Sequence, residues 1–508
     1  MTRFRSFPVG GALAALCVLA SDGAAGAEWV VNPGVSVSGT YTDNVNLQPA
    51  QLAQDDFVLQ VTPSLTFRGV GARAFVAGSI AVPVLLYART GAENNAVYPD
   101  VTIVGSAELL ERLFYVDGSI YVSQPYASAF GAQSTSLTSG NDNRYTATSY
   151  RVSPYFKGEL LGNIAYELRN SSIWTETYDA PPGVSNSFVN QTVGSIAGQA
   201  TPLGWFGEFN FDHVKFEDQG WQRINLARAG PRYAISPQLR VQASAGYEND
   251  QFPLANYNAV LYGAAIEWRP SPRTTAYASV EHRFFGTSFL VSLDYRTPLT
   301  VWAISTSRNL TNFPQQLSDS SSAVGVGTLL DRLFKSRIPD PNLRRESVDR
   351  YIEQQALPTN LNGAVNFYSQ DILLTESVSA TAGLTGTRNN VFFTAFYAKN
   401  RPIEGSSGSL VDETSSNSNN TQYGLTGVWA YRVTPVVNLN LSGFLSRTNA
   451  LAPATGQTTQ GSASLEVSRG LTQHTRGFVG VRFQRLVSDV SEPYSETAVY
   501  AGIAYTYR

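Results

Sequence analysis

The stretch that decides the fold is Ala498-Val-Tyr-Ala-Gly-Ile-Ala-Tyr-Thr-Tyr507. Side chains along a strand alternate sides, so Val499, Ala501, Ile503, Tyr505 and Tyr507 share one face. Ala498, Tyr500, Gly502, Ala504 and Thr506 share the other. The first face is apolar and ends in aromatics, whereas the second is small or weakly polar. In water such a strand needs a protein core against its apolar face. In a bilayer, lipid serves instead, provided the backbone groups pair around a closed ring.

The unit recurs along the chain. In Gln238-Leu-Arg-Val-Gln-Ala-Ser-Ala-Gly-Tyr-Glu248 the odd positions are apolar and most even ones polar, and Phe57–Phe67, Ser377–Leu384, Asn438–Ser442 and Ser462–Ser468 alternate likewise. Most of these stretches approach the roughly 9 to 11 residues of a tilted membrane strand. Tight connections at Arg68–Arg73, Lys157–Gly162, Arg269–Arg273 and Gly470–Thr475 alternate with longer, polar ones such as Asp43–Asp55, Gln124–Arg144, Lys399–Gln422 and Arg447–Gln460. A membrane barrel produces this asymmetry, with tight turns facing the periplasm and long loops facing outward. Strands laid between the turns, from 29–42 to 496–507, number about 22, within a range of roughly 18 to 24; the span 366–387 holds one strand or two. The expected fold is therefore an all-β, transmembrane, antiparallel up-and-down β-barrel.

Residues 1–27 read as a secretion signal. Arg3 and Arg5 precede the apolar run Gly10–Ala20, and Ala25-Gly-Ala27 fits a small-x-small cleavage site. Cys17 lies within that run, so the expected mature chain, 28–508, has no cysteine with which to form a disulfide or thiolate metal site. A net charge of −3 lacks the basic excess that marks nucleic-acid binding, and no later stretch approaches the length of a spanning helix.

One segment, about 318–358, breaks the strand rhythm. Leu329, Leu330, Leu333 and Phe334 have helical spacing; Asp340-Pro341 offers a cap and a first-turn proline; Val348, Tyr351 and Ile352 continue an apolar side, flanked by Gln355 or Ala356. Arg344, Arg345, Glu346, Asp349, Arg350 and Glu353 cover the rest, and Pro358 ends the helix. Strand parity places this insertion on the long-loop side. From there it either folds into the mouth and narrows a pore, with Leu330, Leu333, Arg344, Arg345, Val348, Tyr351 and Ile352 as the constricting residues, or forms a solvated surface pair.

Catalytic material is sparse. His213, His282 and His474 lie on separate segments, and the neighbouring Asp212 and Glu281 point to the opposite faces of their strands. No nucleophile-plus-base motif, metal-ligand spacing or phosphate-cradling loop points to an enzyme or a cofactor. With the apolar faces outward, the inward set includes Arg68, Arg240, Glu248, Glu267, Arg269, Glu281, Arg283, Glu466, Arg482 and Gln484. Charges there need water or one another, which implies a wet lumen of mixed charge. Tyr277 and Trp302 are open to two roles, as sugar-stacking platforms or as girdle residues at the headgroup level.

The expected mature start, Glu28-Trp-Val-Val-Asn-Pro-Gly-Val-Ser-Val-Ser-Gly-Thr-Tyr-Thr-Asp-Asn-Val45, resembles that of the outer-membrane β-barrel proteins encoded with exosortase and PEP-CTERM exopolysaccharide systems of Gram-negative bacteria. Leu330-Asp-Arg-Leu333, Arg337-Ile-Pro-Asp-Pro-Asn-Leu-Arg344 and Thr387-Arg-Asn-Asn390 extend the resemblance over nearly the whole mature length. Those barrels usually end on an aromatic residue, and here Arg508 follows Tyr507. The resemblance implies a role beside polysaccharide secretion, with outer-membrane lipid, secreted polymer and periplasmic export components as partners. Two functions follow: a non-enzymatic channel for exopolysaccharide, or a structural, surface-binding barrel with a plugged lumen. A TonB-dependent transporter would need a plug domain before its first strand, whereas strand-like alternation begins here almost at the cleavage site. A soluble propeller would need internal repeats.

Overall fold

The computed structural model describes residues 28–507 except 135, 200, 321–324, 336, 356, 358–360, 362, 365 and 407–416. The expected signal sequence, Ala356, Pro358 and Arg508 lie outside the described residues.

The strands form one antiparallel ring in which sequence neighbours pair throughout, from Glu28–Thr42 to Tyr494–Thr506. The ring closes where Gly34 pairs with Thr506 and Thr42 with Ala498. Two spanning strands are each interrupted at a proline. Ala74–Ala81 resumes as Val84–Tyr87 after Pro83, and Ala96–Val97 resumes as Asp100–Leu110 after Pro99. Proline has no N–H for the ladder, so each break falls where one would be required. Counted as continuous staves, the 24 segments make 22 strands, as the alternation predicts. The span 366–387 contributes a single strand, Leu373–Thr385.

The outer wall is apolar. Val499, Ile503 and Tyr505 are about half exposed, as are Leu441, Leu445, Val479, Val481 and Phe483 on neighbouring strands. Among the described residues no protein layer covers them. Trp302 belongs to this wall, whereas Tyr277 shares the inner face with Glu281 and Arg283. The tight turns are sharp: Leu161 and Gly162 both take positive φ (53° and 74°), and the Asn163 amide donates to the Leu160 carbonyl. Consecutive left-handed residues suit a two-residue hairpin, because their twist matches that of the flanking strands.

The connection after Thr300–Thr311 carries helices α2 (Phe313–Ser320), α3 (Val326–Phe334) and α4 (Pro341–Gln355); a single turn, α1 (Gly91–Asn94), lies in an earlier loop. Helix α4 starts at Pro341, as its cap predicts, and the Leu343 amide donates to the Asp340 carboxylate. Helix α2 was not expected; the Ser318–Ser320 part of the serine run forms its last turn.

Candidate functional site

The lumen is the candidate site, and its inner wall changes character along the axis. Midway, charges pair with one another. Arg228 bridges Glu208 (2.9 Å) and Glu281 (2.7 Å), and Arg169 bridges Asp117 (2.7 Å) and Glu167 (3.0 Å). At the tight-turn rim Glu267 lies between Arg240 (3.9 Å) and Arg269, and both arginines are exposed. Glu466 accepts a hydrogen bond from Tyr500 (3.3 Å), and Arg68 stacks over Phe75. This part leaves its charged inner residues partly exposed.

The outer end does not. Four of the residues expected to line water are buried: Glu248, Arg283, Arg482 and Gln484. Arg283 is paired with Glu248 at 2.9 Å and donates to Asn309. Arg482 donates to Glu496 (2.9 Å), which also accepts from Thr42 (2.7 Å), Ser139 (2.9 Å) and Gln484. Over Arg482, Gln484 and Glu496 the cover is the described part of the connection 124–145, folded inward. Its Arg144 ties the segment's own carbonyls at Ser134 and Ser136, and its Ser134 accepts from Gln484. A carboxylate deprived of water survives only if its lone pairs are matched, and four donors match those of Glu496.

Inward-facing apolar residues at the outer strand ends complete this core. Ile173, Val189, Val214, Phe216 and Ile224 pack against Phe313 and Leu317 of α2 and against Tyr368 and Ile372. Residues 366–372, expected to begin a strand, are thus part of the filling. Tyr368 receives the Ser185 amide, and burial raises its phenol above the ordinary value, so it remains a neutral hydroxyl.

Helices α3 and α4 correct the expectation further. Their connection opens on the long-loop side, as parity requires, yet the two helices pack against the inner wall at the opposite end. Arg332 pairs with Asp294, and Arg337 reaches the Pro298 carbonyl beside a tight turn. Leu329, Leu330, Leu333 and Val348 pack on the inward Val301, Phe392 and Ala430, with Tyr351 and Ile352 at the edge of this cluster. Helix α4 crosses the mouth as a bar. Near its start, Arg345 stacks over Phe75 on one wall, a ring that Arg68 also approaches; near its end, Tyr351 donates to Asn390 (2.7 Å) and the Gln354 carbonyl accepts from Asn438 (2.9 Å) on another. Arg344 faces α3, not the lumen. The alternative of a solvated surface pair is thereby excluded.

Beside this filling a cavity of about 440 Å³ remains. Its walls are hydroxyl-rich: Ser36, Ser38, Thr40, Ser442, Ser462 and Ser464 from the barrel, faced by Ser136 and Thr138. Sequence reasoning missed Glu496 and the inward fold of 124–145. The signal was available in strands such as Ile164–Tyr178, where Ile173 places an apolar residue on the otherwise polar face.

No family model and no curated protein matches the sequence. Among solved structures the chain is similar to the siderophore receptor PirA from Pseudomonas aeruginosa (8% identity, TM-score 0.42), covering 94% of this chain and 80% of that one. It is also similar to the FrpB iron transporter from Neisseria meningitidis (9%, 0.49, 94% and 82%) and to OccK1 from Pseudomonas aeruginosa (9%, 0.36, 94% and 99%). At such identities these likenesses carry nothing about ligand or mechanism. The closed hydrogen-bonded ring and its apolar outer wall are those of an outer-membrane β-barrel.

Proposed function

We propose that this barrel is a non-enzymatic outer-membrane conduit, shut at rest by its own inserted segments, for a hydroxyl-rich solute of the polysaccharide class. The supporting observation is the serine- and threonine-lined cavity between the inner wall of the barrel and the inward-folded Ser136 and Thr138. Hydroxyl groups donate and accept in any rotamer, so such a wall exchanges hydrogen bonds with a passing sugar without holding it in one pose. The resemblance of Glu28–Val45, Arg337–Arg344 and Thr387–Asn390 to barrels encoded with exopolysaccharide systems supports the choice of polymer, with periplasmic export components as the partners that would displace the bar.

Planar-bilayer recordings test the conduit. The full chain is expected to conduct weakly, and a variant lacking 326–355 to conduct several-fold more. A conductance that does not respond to the deletion would overturn gating by the bar. In the host, removing the gene should trap polymer within the cell envelope; unchanged export with the barrel absent would overturn the polysaccharide assignment while leaving the conduit intact.

A further inference from the structure

Four successive outward-running strands carry a cation at the same level on their lipid-facing side. Arg308, Lys399, Arg447 and Arg485 each lie three residues before the ends of their strands, at Thr311, Pro402, Ala450 and Ser488. Their chain neighbours settle the direction. Ala398 and Asn400, Ser446 and Thr448, and Gln484 and Leu486 are all buried on the inner side, and Arg308 alternates with the inward Asn309. Alternate strands stand about 10 Å apart. The four cations therefore form an arc rather than a single site.

Just inside this arc the wall is apolar, with Ile304, Phe393, Leu445 and Phe483 exposed. In register with the cations lie Thr421, Tyr423, Thr459, Gly461 and Ser495, which are small or hydroxyl-bearing. Among the described residues, the strands of this arc place one acid on the same face, Glu376, between Arg308 and Lys399 in register. None of the four cations is in an ion pair among the described residues. Arg308 donates to the Thr287 carbonyl, and Arg447 donates to Asn449 (3.2 Å) and Gln457. Lys399 and Arg485 have no hydrogen-bond partner there either.

Cations above an apolar band and beneath polar loops call for an amphiphile with acyl chains below and anionic groups at the level of the arc. The long loops orient this edge outward. We infer that the arc from Arg308 to Arg485 binds a phosphorylated glycolipid of the outer leaflet, its phosphates bridging neighbouring cations and its sugar hydroxyls meeting the threonines and serines between them. This surface lies on the far side of the wall from the lumen and does not depend on what the lumen transports.

The test uses the purified full-length barrel in micelles, titrated with lipid A or with lipid A whose phosphates have been removed enzymatically. Wild type should bind the phosphorylated form at least tenfold more tightly, and Lys399→Gln/Arg485→Gln should lose about tenfold, the scale expected for losing charge-assisted hydrogen bonds. Adding Arg447→Gln should weaken binding further, while bilayer conductance remains that of wild type. Because Lys399 and Arg485 hold nothing in the fold, the double variant decides the matter even if the triple variant fails to fold. Equal affinity for the dephosphorylated lipid, or unchanged affinity in the double variant, would overturn the assignment.

Discussion

Arg344 of α4 reaches back to Asp331 of α3, with Nε 2.7 Å from the carboxylate, while its Nη1 donates to the carbonyls of Ile338 and Pro339 (3.0 Å each). One side chain thus closes both the helical hairpin and the loop that joins it. Since Asp331 is partly exposed, solvent screens the ion pair, and most of the value lies in the hydrogen bonds to the two carbonyls. Arg344→Ala should cost the hairpin about 1–3 kcal/mol. The barrel ladder does not use this contact, so the outcome should be greater protease access to 326–355 and more frequent openings in bilayers, with heat-modifiable migration of the barrel unchanged.

The Arg482–Glu496 pair makes a harsher demand. Removing Arg482 leaves a carboxylate with no solvent exposure and three donors instead of four. Breaking a buried pair from one side costs about 3–5 kcal/mol. Arg482→Met should lower the thermal midpoint and release segment 124–145, measured as faster amide exchange there. Arg482→Met/Glu496→Met should recover most of the loss, since neither charge then remains unpaired.

Neighbours in sequence should respond oppositely to the same charge. Leu465 faces lipid near the middle of Gln457–Gly470, and Ser464 faces the cavity. Leu465→Arg should destabilise by about 2–4 kcal/mol, the range for arginine at the bilayer midplane. Ser464→Arg should be tolerated within about 1 kcal/mol, because its guanidinium enters water. Urea unfolding in lipid vesicles distinguishes the two.

Filling the cavity should reduce transport without harming the fold. Ser442→Trp projects from the inner wall into the space of about 440 Å³. The 326–355 deletion carrying this change should pass neutral oligosaccharides several-fold more slowly than the deletion alone in liposome swelling, with the same melting midpoint.

Much of the barrel could be read from the chain. Alternation at Leu239, Val241, Ala243, Ala245 and Tyr247 is a local property: each strand needs only to know which solvent lies on each side, and two-residue periodicity records that. Turn length carried the orientation in the same way. The helical spacing of Leu329, Leu330, Leu333 and Phe334 and the helix start at Pro341 were also legible, because spacing and caps act over a few residues. The destination of those helices was not. Leu329, Leu330 and Leu333 announce an apolar face, but nothing within 326–355 states that its partner is Val301, Phe392 and Ala430 at the far end of the lumen. The polar inner residues failed for a related reason. Arg482 and Gln484 look like any polar-in positions, and what dried them was a second layer contributed from elsewhere in the chain.

The sequence by itself determined a closed ring of about 22 alternating strands, its lipid face and the end that carries its long loops, because each of these follows from local periodicity and turn length. Only the tertiary structure decided that the ring is filled. Packing of α2–α4 and of residues 124–145 against the inner wall depends on side chains hundreds of positions apart, such as Ser139 and Glu496, whose partnership exists only once the cylinder has closed around them.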